Sequence, residues 1–107
     1  MNCRDTLVEK LAKYSDVVIT QHALEQAVFR NISLEEVRRN ILHPERLVFA
    51  GKQEAEHPDE EKYDCYFEYS KTRCHRYVLV INATCIVCTI IKINKRWQKK
   101  VEKYAKH

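Results

Sequence analysis

An α+β fold is predicted: N-terminal helices packed on an antiparallel meander of three or four strands, followed by a basic C-terminal helix. Three observations predict it. Residues 3–42 repeat apolar side chains at helical spacing, with Thr20 and Ser33 marking two helix starts. Residues 63–93 hold three strand-like runs separated by short polar turns. After residue 94 the spacing of apolar positions returns to three and four. Helices grouped before strands are the order of α+β, not of an alternating α/β chain. At 107 residues, 45% hydrophobic and 32% charged, the chain suits one globular domain with its own core.

The elements follow in order. Leu7, Val8, Leu11 and Tyr14 make one stripe of a helix over 3–14. Residues 16–20 are brief, β-branched and extended, and Thr20 then caps a helix over 21–30 with Ala23, Leu24, Ala27 and Val28 inward. Ser33 and Glu36 form a capping box for a helix over 34–42 that buries Leu34, Val37, Ile41 and Leu42. Pro44 ends it, because the residue before a proline is pushed out of helical geometry. A first strand is expected over 46–50, then an exposed loop over 52–62 with five acids. The runs 63–69, 75–81 and 85–93 are the meander, and 71–73 and 82–84 are its turns. A basic helix over 94–106 carries Trp97, Val101 and Tyr104 at offsets of 0, 4 and 7. A single domain spans 1–107.

The net charge of +4 hides a segregation. Residues 1–70 hold nine Lys/Arg against fourteen Asp/Glu, whereas residues 71–107 hold ten against Glu102 alone. Charge separated in this way is the electrostatic footprint of a phosphate-binding face, or else a solvated basic tail. The longest uncharged run, 77–91, is too short and too polar to span a bilayer. No basic start followed by an apolar run marks a secretory signal, so a cytoplasmic location and no membrane partner are expected. Five cysteines without an export signal argue for reduced thiols. Cys85 and Cys88 have the two-residue gap of a zinc knuckle, with Cys74 and His75 as further donors, but no second pair lies at the right distance. No cofactor motif is present, so no metal or cofactor is expected. Without a Gly-rich loop or a Ser nucleophile motif, nucleotide hydrolysis and acyl transfer are not expected either.

The informative segment is 18–37 (VITQHALEQAVFRNISLEEV), continued by 41–45 (ILHPE). It resembles the opening of the small prokaryotic domain-of-unknown-function family 4258, whose pattern runs T-x-H-A, a charged helix, R-x-I-S-x-x-E-V, then a proline. Tyr66 and Phe67, the strand 76–81 (RYVLVI) and 89–91 (TII) continue the likeness, which covers about 17–93. Two positions depart from the pattern: Gln26 stands where a basic residue is usual, and Ile91 where an aromatic is. In element order that family is similar to the RelE/ParE and BrnT-type toxins, some of whose relatives are small metal-independent ribonucleases. The resemblance thus implies a RelE-like architecture and a toxin-like ribonuclease acting on RNA or at the ribosome, with an antitoxin protein as a further partner.

Metal-free RNA cleavage needs a base, an acid and fixed positive charge on the phosphate. His22 suits a proton role and sits where free helix N–H groups favour an anion. Arg30 lies about 12 Å along the same helix, within about 80° of the same side. Arg76 would complete a catalytic set, since the guanidinium fork holds phosphate oxygens at two points. Lys71 and Arg73 in the adjoining turn, with Lys95, Arg96, Lys99 and Lys100 in the basic helix, are the expected nucleic-acid contacts. Each has a structural alternative. His22 can serve as a hydrogen-bonding helix start, Arg30 as a helix end, Arg76 as the partner of an acid, and His43 and His75 as structural groups. The Trp97 stripe can serve as a docking surface. The competing functions are a non-catalytic nucleic-acid binder and a protein-interaction module of toxin–antitoxin type.

Overall fold

The computed structural model describes residues 2–94. Helix α1 (Cys3–Leu11) is capped by Asn2, whose side chain accepts from the Asp5 backbone. It ends earlier than the stripe predicts, and Tyr14 instead donates its hydroxyl to the carbonyl of Asn82. Strand β1 (Val18–Ile19) leads into α2 (Gln21–Phe29), where Thr20 accepts from Ala23 as expected of an N-cap. α2 stops in a Schellman arrangement: Ile32 N–H donates to Ala27 O, Asn31 N–H to Val28 O, and Asn31 takes φ 55°. Ser33 caps α3 (Leu34–Leu42), and a 3-10 turn over Pro44–Arg46 follows.

Strands β2 (Leu47–Gln53), β3 (Glu61–Glu68), β4 (Arg73–Ile81) and β5 (Cys85–Asn94) form the antiparallel meander. β1 adds to it in parallel beside β5, giving a five-stranded mixed sheet in the order β1-β5-β4-β3-β2. The α+β class is as expected, but the sheet is not wholly antiparallel. The β-branched stretch before Thr20 recruits to the outer edge of β5, where Thr20 N–H also donates to Val87 O. The acidic loop shrinks to 54–60 because both flanking strands extend into it. The helix expected over 94–106 lies outside the described residues, apart from Asn94, which ends β5. No helix among the described residues is long and apolar enough to cross a membrane.

One face of the sheet is the core. Tyr63, Cys65 and Phe67 of β3 and Tyr77, Leu79 and Ile81 of β4 alternate inward onto Leu7, Leu11, Ala23, Ala27, Val37 and Ile41. Val28, expected inside, is 73% exposed, because the small pair Ala23 and Ala27 turns its own side of α2 to the sheet. A shift of register between Val78 and Leu79 leaves Cys88 of β5 as an extra residue. Beyond the two-residue β1, the N–H of Ile90 donates to the side-chain oxygen of Gln26 at 2.9 Å. Gln26 thus closes a gap in the ladder. Replacing it by Leu leaves that amide without its acceptor and is expected to cost about 1–2 kcal/mol in urea unfolding.

Glu61 ties the helix layer to the sheet edge. Lys10 of α1 and Lys52 of β2 both reach its carboxylate, and Tyr63 donates to it at 3.0 Å. Lys10 above all, then Lys52, holds the Glu61 carboxyl down at about 2, against 4.5 when free. A lowered carboxyl pKa stabilises the fold at pH above 4.5, and that contribution is lost as pH falls from 4.5 through 2. Urea midpoints measured across this range should fall for the natural chain and fall less steeply for Glu61→Gln.

Candidate nucleic-acid interface

The meander sorts charge between its two ends. At one end the β2–β3 loop carries Glu54, Glu56, Asp59 and Glu60. The other end is fixed by the register Leu47↔Phe67, Phe67↔His75, His75↔Lys92 and Arg73↔Asn94. It gathers Arg46, Lys71, Arg73 and Lys92. The C-terminal half of α3 and the 3-10 turn add a hollow of about 370 Å³ lined by Arg39, Asn40, His43, Glu45 and Arg46. Among the described residues, none of Arg39, Arg46, Lys71, Arg73 and Lys92 has a carboxylate within ion-pair range. Their charge is available to a ligand.

A buried polar network supports this end from below. Asn40, 3% exposed, donates from Nδ2 to the Tyr77 hydroxyl at 2.9 Å, and that hydroxyl meets His75 Nδ1 at 2.8 Å. Since Tyr77 accepts from Asn40, its own proton is free for Nδ1, which fits a neutral imidazole protonated at Nε2. Burial drives the His75 pKa down; Lys92 and Arg46 push the same way, and Glu36 opposes them. Burial likewise raises the Tyr77 phenol well above its ordinary value. The Tyr69 ring sits 4.2 Å from His75 and the Phe67 ring 4.9 Å from Tyr77. The network is neutral and rigid, and through Asn40 it forms the floor of the cationic hollow.

The three residues expected to be catalytic are not gathered at one place. Arg76 makes a two-point ion pair with Asp64, Nε to Oδ1 at 2.6 Å and Nη2 to Oδ2 at 3.0 Å, and this pairing raises its pKa. Asp64 and Arg76 alternate with the core residues Tyr63, Cys65 and Tyr77, so they project from the face opposite the helices. His22 is exposed at the start of α2, whose Ala23 and Ala27 pack on the helix-covered face. Arg30 is the C-cap of α2 and lies 5.9 Å from the Phe29 ring. The sheet therefore separates His22 from Arg76, and Asp64 already neutralises the arginine.

Lys71 in the β3–β4 turn and Arg73 at the start of β4 are exposed and belong to the basic end. Lys95, Arg96, Lys99 and Lys100 lie outside the described residues. Arg39, Asn40, His43, Arg46 and Lys92 were not expected at a site. One signal was present: Asn40 falls on the inner stripe between Val37 and Ile41, where a polar side chain must find a buried partner.

Among the described residues no group of three His, Cys, Asp or Glu can hold a metal. Cys85 is buried in the core with its thiol pushed up to about 12 by burial, and Cys65 is raised in the same way. Cys74 and His75, adjacent in β4, point to opposite faces. No family model, curated protein or solved structure matches the chain.

Proposed function

We propose that the protein binds RNA by its phosphate backbone, at the basic end of the sheet. The observation that carries this reading is the set of cations around the α3 hollow, none of them ion-paired among the described residues although Glu45 also lines the hollow, set against an acidic loop at the far end. Arginine forks on a rigid polar floor suit phosphate oxygens, and the acidic loop repels a polyanion that approaches the wrong way round. RNA, as opposed to another polyanion, comes from the resemblance to the toxin ribonucleases. The RelE-like architecture, a cytoplasmic or ribosomal setting and an antitoxin partner belong to this proposal on the same ground. The test is affinity for single-stranded RNA by fluorescence anisotropy, compared between the natural chain and Arg39→Glu/Arg46→Glu.

A second reading, RNA cleavage at the same place, is favoured by one observation. His43 lines the hollow beside Arg39 and Arg46, so a proton-transfer group and two phosphate clamps share one concavity. It predicts cleavage in excess chelator that is lost in His43→Ala and kept in His22→Ala. Binding without cleavage would leave the first reading standing alone.

A further inference from the structure

The cationic hollow contains one group that phosphate binding does not use. Glu45, in the 3-10 turn, lines the same hollow of about 370 Å³ as Arg39, Asn40, His43 and Arg46. A negative charge at this place repels phosphate and offsets the attraction of the arginines beside it. Packing does not require it there, because Glu45 is exposed. Nor does an ion pair: among the described residues neither arginine comes within salt-bridge range of its carboxylate. The turn nevertheless presents it firmly, with Pro44 fixing its own φ and the Glu45 N–H donating to the His43 carbonyl at 2.8 Å. Both carboxylate oxygens are left to accept from a ligand.

We propose that the hollow takes an unpaired guanine of single-stranded RNA, whose base-pairing edge donates to Glu45 while Arg39 and Arg46 hold the adjoining phosphates. This deepens the RNA-binding reading and rests on it. Single-stranded RNA is read by sequence on such edges, with the base carried on an aromatic, imidazole or guanidinium plane. His43 and the two arginines bring planes of the last two kinds to the hollow. A carboxylate offers two acceptors and no donor. Guanine sets its N1–H beside its N2 amino group, two donors side by side. Adenine and cytosine set one amino group beside a ring nitrogen that accepts, and uracil sets its single N3–H between two carbonyls. Of the four bases, guanine alone meets both Glu45 oxygens with hydrogen. These bonds are charge-assisted, about twice as strong as neutral ones, which offsets the repulsion between Glu45 and phosphate.

Fluorescence anisotropy with three RNAs tests this: a short oligouridine carrying one central guanosine, inosine or adenosine, equal in length and charge. The full natural chain should bind the guanosine RNA about 5- to 100-fold more tightly than the adenosine RNA. Inosine keeps N1–H but lacks the N2 amino group, so its RNA should fall between them. Glu45→Gln should bring the three affinities together. It should also bind the adenosine RNA more tightly than the natural chain does, because a negative charge leaves the hollow. The comparison on the natural chain needs no variant, so it stands whatever Glu45→Gln does to the turn. Equal affinity for the three RNAs would overturn the proposal and leave the RNA-binding reading standing. A guanosine preference that persists undiminished in Glu45→Gln would overturn it too, since the base would then be read elsewhere. If none of the three RNAs binds, the proposal and the reading beneath it fall together.

Discussion

Tyr77→Phe should lower stability by several kcal/mol, on the order of 2–6. The hydroxyl serves two buried partners, Asn40 Nδ2 and His75 Nδ1. Removing it leaves a donor and an acceptor unsatisfied in surroundings where Asn40 and His75 are 3% and 1% exposed. At about 1–3 kcal/mol for each such group, the expected loss is about 2–6 kcal/mol. That is a drop in melting temperature of about 10 °C or more for a domain of this size. Asn40→Leu should cost less, because it removes both the donor and the need for it while refilling the space. Calorimetry of the two variants checks the order. If Tyr77→Phe melted with the natural chain, the hydroxyl would not be the hub of the network.

The second large effect falls on binding. Each phosphate contact to single-stranded RNA releases about 0.7 of a counterion, worth about fivefold in affinity at 0.1 M salt. Losing Arg39 and Arg46 together should therefore weaken RNA binding about 25-fold, and reversing their charge should weaken it further. Arg76→Gln should leave affinity close to that of the natural chain, because Asp64 already occupies that guanidinium. Equal losses from Arg76→Gln and from the α3 pair would show that the ligand does not choose the basic end.

Much of the architecture was legible because it is written in local patterns. Thr20 and Ser33 cap the helices they were expected to cap. The alternation through Tyr63, Cys65 and Phe67 marks the buried face of β3. What was missed depends on contacts distant in sequence. The pairing of residues 18–19 with 86–87 joins segments far apart along the chain, and nothing in so short a run says that its neighbour will be parallel. Val28 satisfies a helical stripe as well as Ala27 does, and only the close approach of α2 to β5 decides which of them faces in.

The candidate site was harder to read for the same reason. A guanidinium in a strand looks like a clamp until the register sets Asp64 opposite its neighbour, and His22 shares a helix with Arg30 but not a face of the sheet with Arg76. The cations that do lie together come from α3, a 3-10 turn, a hairpin and the end of β5. No linear motif joins them.

Amide chemical-shift mapping of the full chain during titration with a short single-stranded RNA decides the proposal that RNA binds at the basic end. The largest shifts are expected at residues 39–46, 71–73 and 92, and should fade as salt is raised. Shifts centred on His22 and on the Asp64–Arg76 pair, with residues 39–46 unmoved, would contradict it.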